Sequence, residues 1–295
     1  MSGSEKGAVL ITGTSTGIGR ACALLLDKRG YRVFAGVRRM EDAESLQKEA
    51  STGLMPVMLD ITDASQIADA RELIQTSVGP MNGLTALINN AGVMVPGILE
   101  FLPLDQLRSQ LEVNLVGQIA VTQAFLPLIR RGRGRIINIS SANGQFALPF
   151  MAGYAASKFA LEAVTDSLRR ELRPWRIPVS IIAPGTVETA MWDRAKVITD
   201  ALFSTLPPMA RQLYGEESSA MIELMFKKGR GCADRAGALA ELALRVVEAK
   251  RPKARYRRGP GSTMATIGSY LPKRLVDWVV AKAMRNQLPS KVLGW

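Results

Sequence analysis

The chain has 295 residues, 38 Lys/Arg against 26 Asp/Glu for a net charge of +12, and no histidine. Without an imidazole there is no Ser-His-Asp triad, no Cys-His nucleophile and no His-ligated metal, so proton transfer falls to Tyr, Lys or a carboxylate. The two cysteines, Cys22 and Cys232, are far apart and form no Cys-x-x-Cys, which argues against a zinc site or a disulfide scaffold and predicts a reduced, intracellular protein without a bound metal.

Residues 1–7 are short and polar, and the apolar run 8–11 is too brief for a signal peptide or a membrane span; no other stretch approaches a spanning helix. A cytoplasmic location is expected. From there, short apolar runs of strand length alternate with helical patterns to about residue 185. The predicted strands are 8–12, 32–37, 55–59, 86–89, 135–139 and 179–183, with a weaker seventh at 255–257; helices are predicted near 18–29, 42–51, 63–78, 105–131 and 152–173. This is βαβ arithmetic, and continuously apolar strands suit a parallel sheet covered on both faces. The expected fold is α/β, a Rossmann-type doubly wound parallel sheet of about seven strands in a single domain over 1–258. A substrate-binding insertion is expected at about 186–232, and a basic helical extension at 259–295. No internal repeat or linker interrupts this, and Pro207-Pro208 and the glycines of 229–231 read as loops.

Three motifs carry chemistry. The first strand runs into Gly13-Thr14-Ser15-Thr16-Gly17-Ile18-Gly19 and a helix begins at once. Glycines at this spacing let the backbone turn tightly and aim a helix N-terminus at a pyrophosphate, which predicts dinucleotide binding. The second strand ends in Arg38-Arg39, where an acid would accept a bond from a ribose 2′-hydroxyl. A guanidinium instead suits a 2′-phosphate, with the Thr16 hydroxyl beside it, so NADP(H) is expected over NAD(H). Third, Tyr154-Ala155-Ala156-Ser157-Lys158 opens a helical segment and sets a phenol and an ammonium on one helix face. An ammonium beside a phenol is expected to lower its pKa, as a general acid/base requires.

Together these residues resemble the short-chain dehydrogenase/reductase family over roughly residues 8–190. Gly13, Gly17 and Gly19 match its cofactor loop, Asn89-Asn90-Ala91-Gly92 its Asn-Asn-Ala-Gly signature, and Asn114 its catalytic asparagine. Ser141, thirteen residues before Tyr154, is favoured over Ser140 as the catalytic serine. The resemblance implies a tetrad of Asn114, Ser141, Tyr154 and Lys158. It implies that Tyr154 exchanges the proton, Ser141 polarises the substrate oxygen, Lys158 lowers the tyrosine pKa and bonds the nicotinamide ribose, and Asn114 supports a water chain. Ser15, Thr16, Ile18, Arg38, Asp60, Asn90, Tyr154, Lys158, Pro184, Gly185 and Thr189 are the further implied cofactor contacts, Asp60 at adenine and Pro184-Gly185 with Thr189 at the carboxamide.

The strand end at residues 33–38 and the basic C-terminus resemble retinol and hydroxysteroid dehydrogenases, which implies a ketoreductase or dehydrogenase of a small lipophilic alcohol or ketone. Met191, Trp192, Phe203, Met209, Tyr214, Met221, Met225 and Phe226 are expected to line an apolar lid, or to pack as a plain amphipathic helix. The charge excess is wholly C-terminal: residues 1–226 hold 22 basic and 22 acidic side chains, residues 227–295 hold 16 and 4. There Leu275, Val276, Val279, Val280, Ala283 and Met284 lie among Lys273, Arg274, Lys282 and Arg285. Such a helix suits peripheral contact with an anionic membrane, closure of the substrate pocket or an oligomer contact; specific nucleic-acid binding is not expected. A homodimer or homotetramer through the helices of 105–131 and 152–173 is implied by the family. The alternative to an enzyme is a cofactor-binding redox sensor or scaffold, but such relatives are expected to lose the tyrosine or lysine that this chain keeps.

Overall fold

A computed structural model describes residues 6–232 and 235–285. Residues 286–295 of the expected extension, and the side chains of Met284 and Arg285, lie outside the described residues. Seven strands form one sheet in the order β3-β2-β1-β4-β5-β6-β7: β1 Ala8–Ile11, β2 Arg32–Val37, β3 Leu54–Met58, β4 Leu84–Asn89, β5 Arg135–Ile139, β6 Val179–Pro184 and β7 Arg255–Arg258. All six pairings are parallel. Pro56, which cannot donate to a ladder, sits in β3 at the sheet edge, where that loss is tolerated.

The period-2 alternation of the strands sorts the core into two layers. Val9, Ile11, Val33, Ala35, Ile88 and Ile137 face α1 (Gly17–Lys28) and α9 (Ala236–Glu248). Ala8, Leu10, Phe34, Leu87 and Ile136 face α3 (Ala64–Val78) and α5 (Gly117–Arg131). α2 spans Met40–Gln47, and α6 spans Ala152–Glu171.

The helix expected at 105–131 is interrupted. α4 ends at Leu111, having begun at Leu104, and a π turn, Glu112–Val116, separates it from α5. The run Leu104–Arg131 is, by length and composition alone, long and apolar enough to cross a membrane, contrary to the reading that no stretch approaches one. In the fold its Val121, Phe125 and Leu128 are core residues, which accounts for the apolarity.

Past β6 the structure adds α7 (Met191–Ser204) and α8 (Pro208–Arg230), two helices where the sequence suggested a lid or one helix. Pro208 is the first residue of α8, a position where proline loses no hydrogen bond, and Gly229 lies within α8 rather than in a loop. α10 (Ser262–Tyr270) and α11 (Lys273–Arg285) follow β7. The β1–β4 neighbours mark the point where strand order reverses, and the ligand crevice of such a sheet opens there, at the carboxyl ends of the strands.

Candidate active site

A cavity of about 770 Å³ opens at that crevice, lined from the glycine turn through Arg38 and Asp60 to Ser141, Tyr154 and Lys158, and then by α7, α8, α10 and α11. Its floor is the turn after β1. Gly13 and Gly17 have φ +68° and +60°, the left-handed region open to glycine. A side chain on Gly13 would meet Ala91 Cα at 2.8 Å, and one on Gly19 would meet Gly13 O at 2.2 Å. Asn90 braces this turn from β4: its Nδ2 donates to Thr12 O and Gly13 O, both at 2.9 Å. Its side chain therefore shapes the turn, although Asn90 also lines the cavity. Ser15, Thr16, Gly17 and Ile18 line the cavity as well, as do Pro184, Gly185 and Thr189. Gly185 is obligatory, because a Cβ there would lie 1.9 Å from Pro260 O.

Of the two arginines ending β2, only Arg38 lines the cavity; Arg39 is turned to Asp42 at 3.3 Å. Arg38 Nη1 lies 4.0 Å from Asp60 Oδ2, while Asp60 Oδ1 accepts from Thr62 N and Oγ1. The Thr16 hydroxyl accepts a 2.8 Å bond from Arg194 of α7, a residue that the sequence reading did not single out.

Tyr154 and Lys158 sit in the first two turns of α6, both buried. The Ser141 hydroxyl accepts from Asn143 N at 3.1 Å and is near enough to the Tyr154 phenol to lower its pKa. Ser140, its neighbour, points away and donates to Glu162 at 2.9 Å. Lys158 Nζ donates to Ile139 O at 3.0 Å and lies 5.9 Å from the Tyr154 ring centroid.

The electrostatics differ from the expectation. Burial pushes the Tyr154 phenol above its ordinary value of 10.0, and the Ser141 hydroxyl pulls it part of the way back. The Lys158 ammonium is directed to a backbone carbonyl. Burial also lowers Lys158 to about 8, against the pull of Glu162 in the opposite direction. Tyr154 is thus an O–H donor at neutral pH.

Asn114 lies in the π turn, fully buried. Its Oδ1 accepts from Val93 N at 2.8 Å, and its Nδ2 donates to Val93 O at 2.9 Å and Ser157 Oγ at 3.0 Å. Both amide protons are occupied within the protein, so this side chain ties the segment after β4 to α6.

Four of the eight residues expected in the lid line the cavity: Met191, Trp192, Met221 and Met225. Phe203 and Phe226 pack behind them in a cluster with Tyr154. Met209 is exposed, and Tyr214 stands edge-on to Phe101 and donates to Glu100. From α10 and α11, Met264, Ile267, Val276 and Val280 close the far side.

The family description "short chain dehydrogenase" matches residues 7–197. The chain is 35% identical over 280 residues to the 17-beta-hydroxysteroid dehydrogenase type 6 of Bos taurus, covering 93% of this chain and 88% of that one. It is 36% identical over 281 residues to retinol dehydrogenase 5 of Mus musculus, covering 92% and 87%. A short-chain dehydrogenase structure from Streptomyces avermitilis superposes with a TM-score of 0.74 at 25% identity, covering 96% of each chain. The chain belongs to the short-chain dehydrogenase/reductase family. Within it, it joins the retinol and hydroxysteroid dehydrogenase-like subgroup, and it is an oxidoreductase acting on CH–OH groups with a nicotinamide cofactor.

Set on this dehydrogenase frame, the residues that sequence reasoning missed are a supporting layer. Glu162 continues the helix face of Tyr154 and Lys158 by one more turn; Arg255 of β7 forms a two-pronged ion pair with it, Nη1 to Oε1 at 2.8 Å and Nη2 to Oε2. Gly144 leaves room for them, since a Cβ there would lie 2.6 Å from Glu162 Oε1. The i, i+4, i+8 spacing of Tyr154, Lys158 and Glu162 was legible as a pattern. The Arg255 partner lies 93 residues away and was not.

Proposed function

We propose that the chain is an NADP(H)-dependent oxidoreductase that interconverts a lipophilic ketone or aldehyde, of steroid or retinoid type, with its alcohol, using Tyr154 as general acid/base. The observation that carries this reading is the grouping of Ser141, Tyr154 and Lys158 on one wall of a cavity whose opposite wall is Met191, Trp192, Met221 and Met225.

The glycine turn with its helix N-terminus would hold the pyrophosphate, Arg38 a 2′-phosphate, Asp60 the adenine end, and Pro184, Gly185 and Thr189 the nicotinamide end. When bound, the nicotinamide supplies or accepts a hydride. In reduction the substrate carbonyl oxygen sits between Ser141 and Tyr154. Ser141 donates to that oxygen, and the Tyr154 proton passes to it as negative charge builds there; oxidation reverses the transfer. The raised pKa of Tyr154 favours the protonated form that reduction needs. Lys158, anchored on Ile139 O, has two further N–H groups for the ribose hydroxyls. Asn114 holds the segment from which Val93 and Met94 face the cavity.

The test is oxidation of NADPH and of NADH, followed at 340 nm against steroid ketones, retinal and simple carbonyls, with Arg38→Asp and Tyr154→Phe as controls. The reading predicts turnover of a lipophilic carbonyl that depends on Tyr154, and an NADPH preference that falls about ten- to a hundredfold in Arg38→Asp, the worth of a charged hydrogen bond. An unchanged preference sinks the NADP(H) assignment.

The same reading places the enzyme in the cytoplasm, touching an anionic membrane through α10 and α11. In its support, Tyr270 is 82% and Trp278 59% exposed, Met264 and Leu275 are exposed beside them, and Lys273, Arg274 and Lys282 share the segment. Co-sedimentation with anionic but not neutral vesicles at low salt is the expected result. A homo-oligomer through α4, α5 and α6 is supported by the exposed apolar Val116 and Phe159, and sedimentation equilibrium reads it.

A further inference from the structure

Arg194 stands in the first turn of α7, on the lid side of the cavity, yet it reaches the opposite wall. Its Nη2 donates to Thr16 Oγ1 at 2.8 Å across 178 residues of sequence. The neighbouring lid residue Thr189 lies against the same turn, 3.3 Å from where a side chain on Gly17 would begin. Thr16 is the N-cap residue of α1, but its side chain makes no capping bond, so the hydroxyl is held by the lid rather than by its own helix. Arg194, Ser15, Thr16, Gly17 and Ile18 line one stretch of the cavity.

The charges on α7 single this residue out. Asp193 pairs with Arg230 at 3.0 Å and Lys196 with Asp200 at 2.9 Å. Among the described residues no carboxylate pairs with Arg194. A guanidinium without an acid is therefore aimed at a helix N-terminus, which is itself positive. Two positive features facing each other across a nucleotide crevice are complementary to one thing, an anion between them. Arg38, the cation read from the sequence, is different: it lies beside Asp60 at the adenosine end.

We propose that Arg194 is a lid-borne ligand for the dinucleotide pyrophosphate, which it clamps against the α1 N-terminus, so that nucleotide binding and closure of α7 are one event. The proposal rests on the nicotinamide-dinucleotide reading of the cavity. Closure would be passed onward through Trp192, whose Nε1 donates to Val187 O at 2.8 Å and whose ring packs on Gly229 and edge-on to Phe226 of α8. The lid that shapes the substrate pocket would then form only once the phosphates are in place.

The test uses the full chain and Arg194→Gln, both confirmed folded by thermal melt, with titration calorimetry of ADP-ribose, 2′,5′-ADP, NADH and NADPH. ADP-ribose carries the pyrophosphate without a 2′-phosphate, whereas 2′,5′-ADP carries the 2′-phosphate and only the adenosine-side 5′-phosphate. Arg194→Gln is expected to weaken ADP-ribose, NADH and NADPH alike by about ten- to a hundredfold and to weaken 2′,5′-ADP, which has one phosphate fewer there, by less. Hydrogen exchange over 189–204 should slow when ADP-ribose binds the wild type and not when it is added to the variant. Equal ADP-ribose affinity in the two proteins overturns the proposal, as does a loss confined to NADPH and 2′,5′-ADP, which would make Arg194 a second 2′-phosphate contact. A wild type that binds none of the four sinks the dinucleotide reading itself, a result distinguishable from either.

Discussion

On the sheet side of the cavity, every polar side chain that matters has a partner at fixed distance: Asn90 on Thr12 and Gly13, Asn114 on Val93 and Ser157, Lys158 on Ile139, Glu162 on Ser140 and Arg255. On the lid side the wall is Met191, Met221, Met225, Met264 and Val276, with few directional contacts and with Met209, Tyr270 and Trp278 open to solvent. The difference teaches how the work is divided. Proton transfer needs heavy atoms held to fractions of an ångström, and buried hydrogen bonds on a packed sheet supply that. An apolar substrate needs shape and area, which flexible thioethers supply without a unique arrangement.

Substitutions on the two sides should therefore fail differently. The largest effect is expected from Tyr154→Phe: turnover falling by about 10²- to 10⁴-fold while NADPH affinity changes little. Stopped-flow reduction and calorimetry separate the two, and a variant that keeps half its activity would remove Tyr154 from the chemistry. Next comes Glu162→Ala, which strands the Arg255 guanidinium in a site where the paired side chains are 9% and 19% exposed. Breaking such a pair costs about 3–5 kcal/mol, readable by urea unfolding; a loss under 1 kcal/mol would mean that the supporting layer is ornamental.

A pH measurement probes the same layer more finely. Lys158 is held at about 8 against an ordinary 10.5, so between these values the unfolded chain binds the extra proton and stability rises with pH, by up to about 1.4 kcal/mol per unit. Tyr154 and Cys22, both raised by burial, oppose this above their ordinary values of 10.0 and 9.0. The Lys158 contribution is therefore taken as the difference between wild type and Lys158→Met, which should grow from pH 8 to 10.5. A flat difference would show that the lysine is solvated. The smallest effect belongs to the lid: Met225→Ala should raise KM for a lipophilic substrate by up to about sixtyfold, at about 0.8 kcal/mol for each of the three methylene-sized groups lost, and leave kcat nearly unchanged. A collapse of kcat instead would mean that the lid takes part in positioning the reaction.

Much of the sheet side was legible in the chain. Six of the seven strands lie close to where apolar runs predicted them, because a strand buried on both faces must be apolar throughout, and that signal is local; β7, Arg255–Arg258, is a polar edge strand that was read only weakly. Gly13, Gly17 and Gly19 announced a turn because only their lack of a Cβ permits it. The π turn around Asn114 was not legible: nothing in Glu112-Val113-Asn114 distinguishes it from continuing helix, and the interruption accompanies bonds that Asn114 makes to Val93 and Ser157. α7 and α8 were seen only as a Met-rich segment, since the apolar side chains of α8 form no single stripe and so give weak periodicity.

The amino-acid order by itself determined the fold class and the family and put Ser141, Tyr154 and Lys158 forward as a group, since each depends on residues close in sequence or on spacings a helix converts directly into proximity. The tertiary structure decided what those groups are electrically. Burial, which belongs to the whole packed domain, raises Tyr154 and lowers Lys158, where neighbouring residues alone suggested the tyrosine would fall. It also brought Arg194 onto Thr16 and Arg255 onto Glu162, contacts across 178 and 93 residues that exist only because the chain returns to the same crevice.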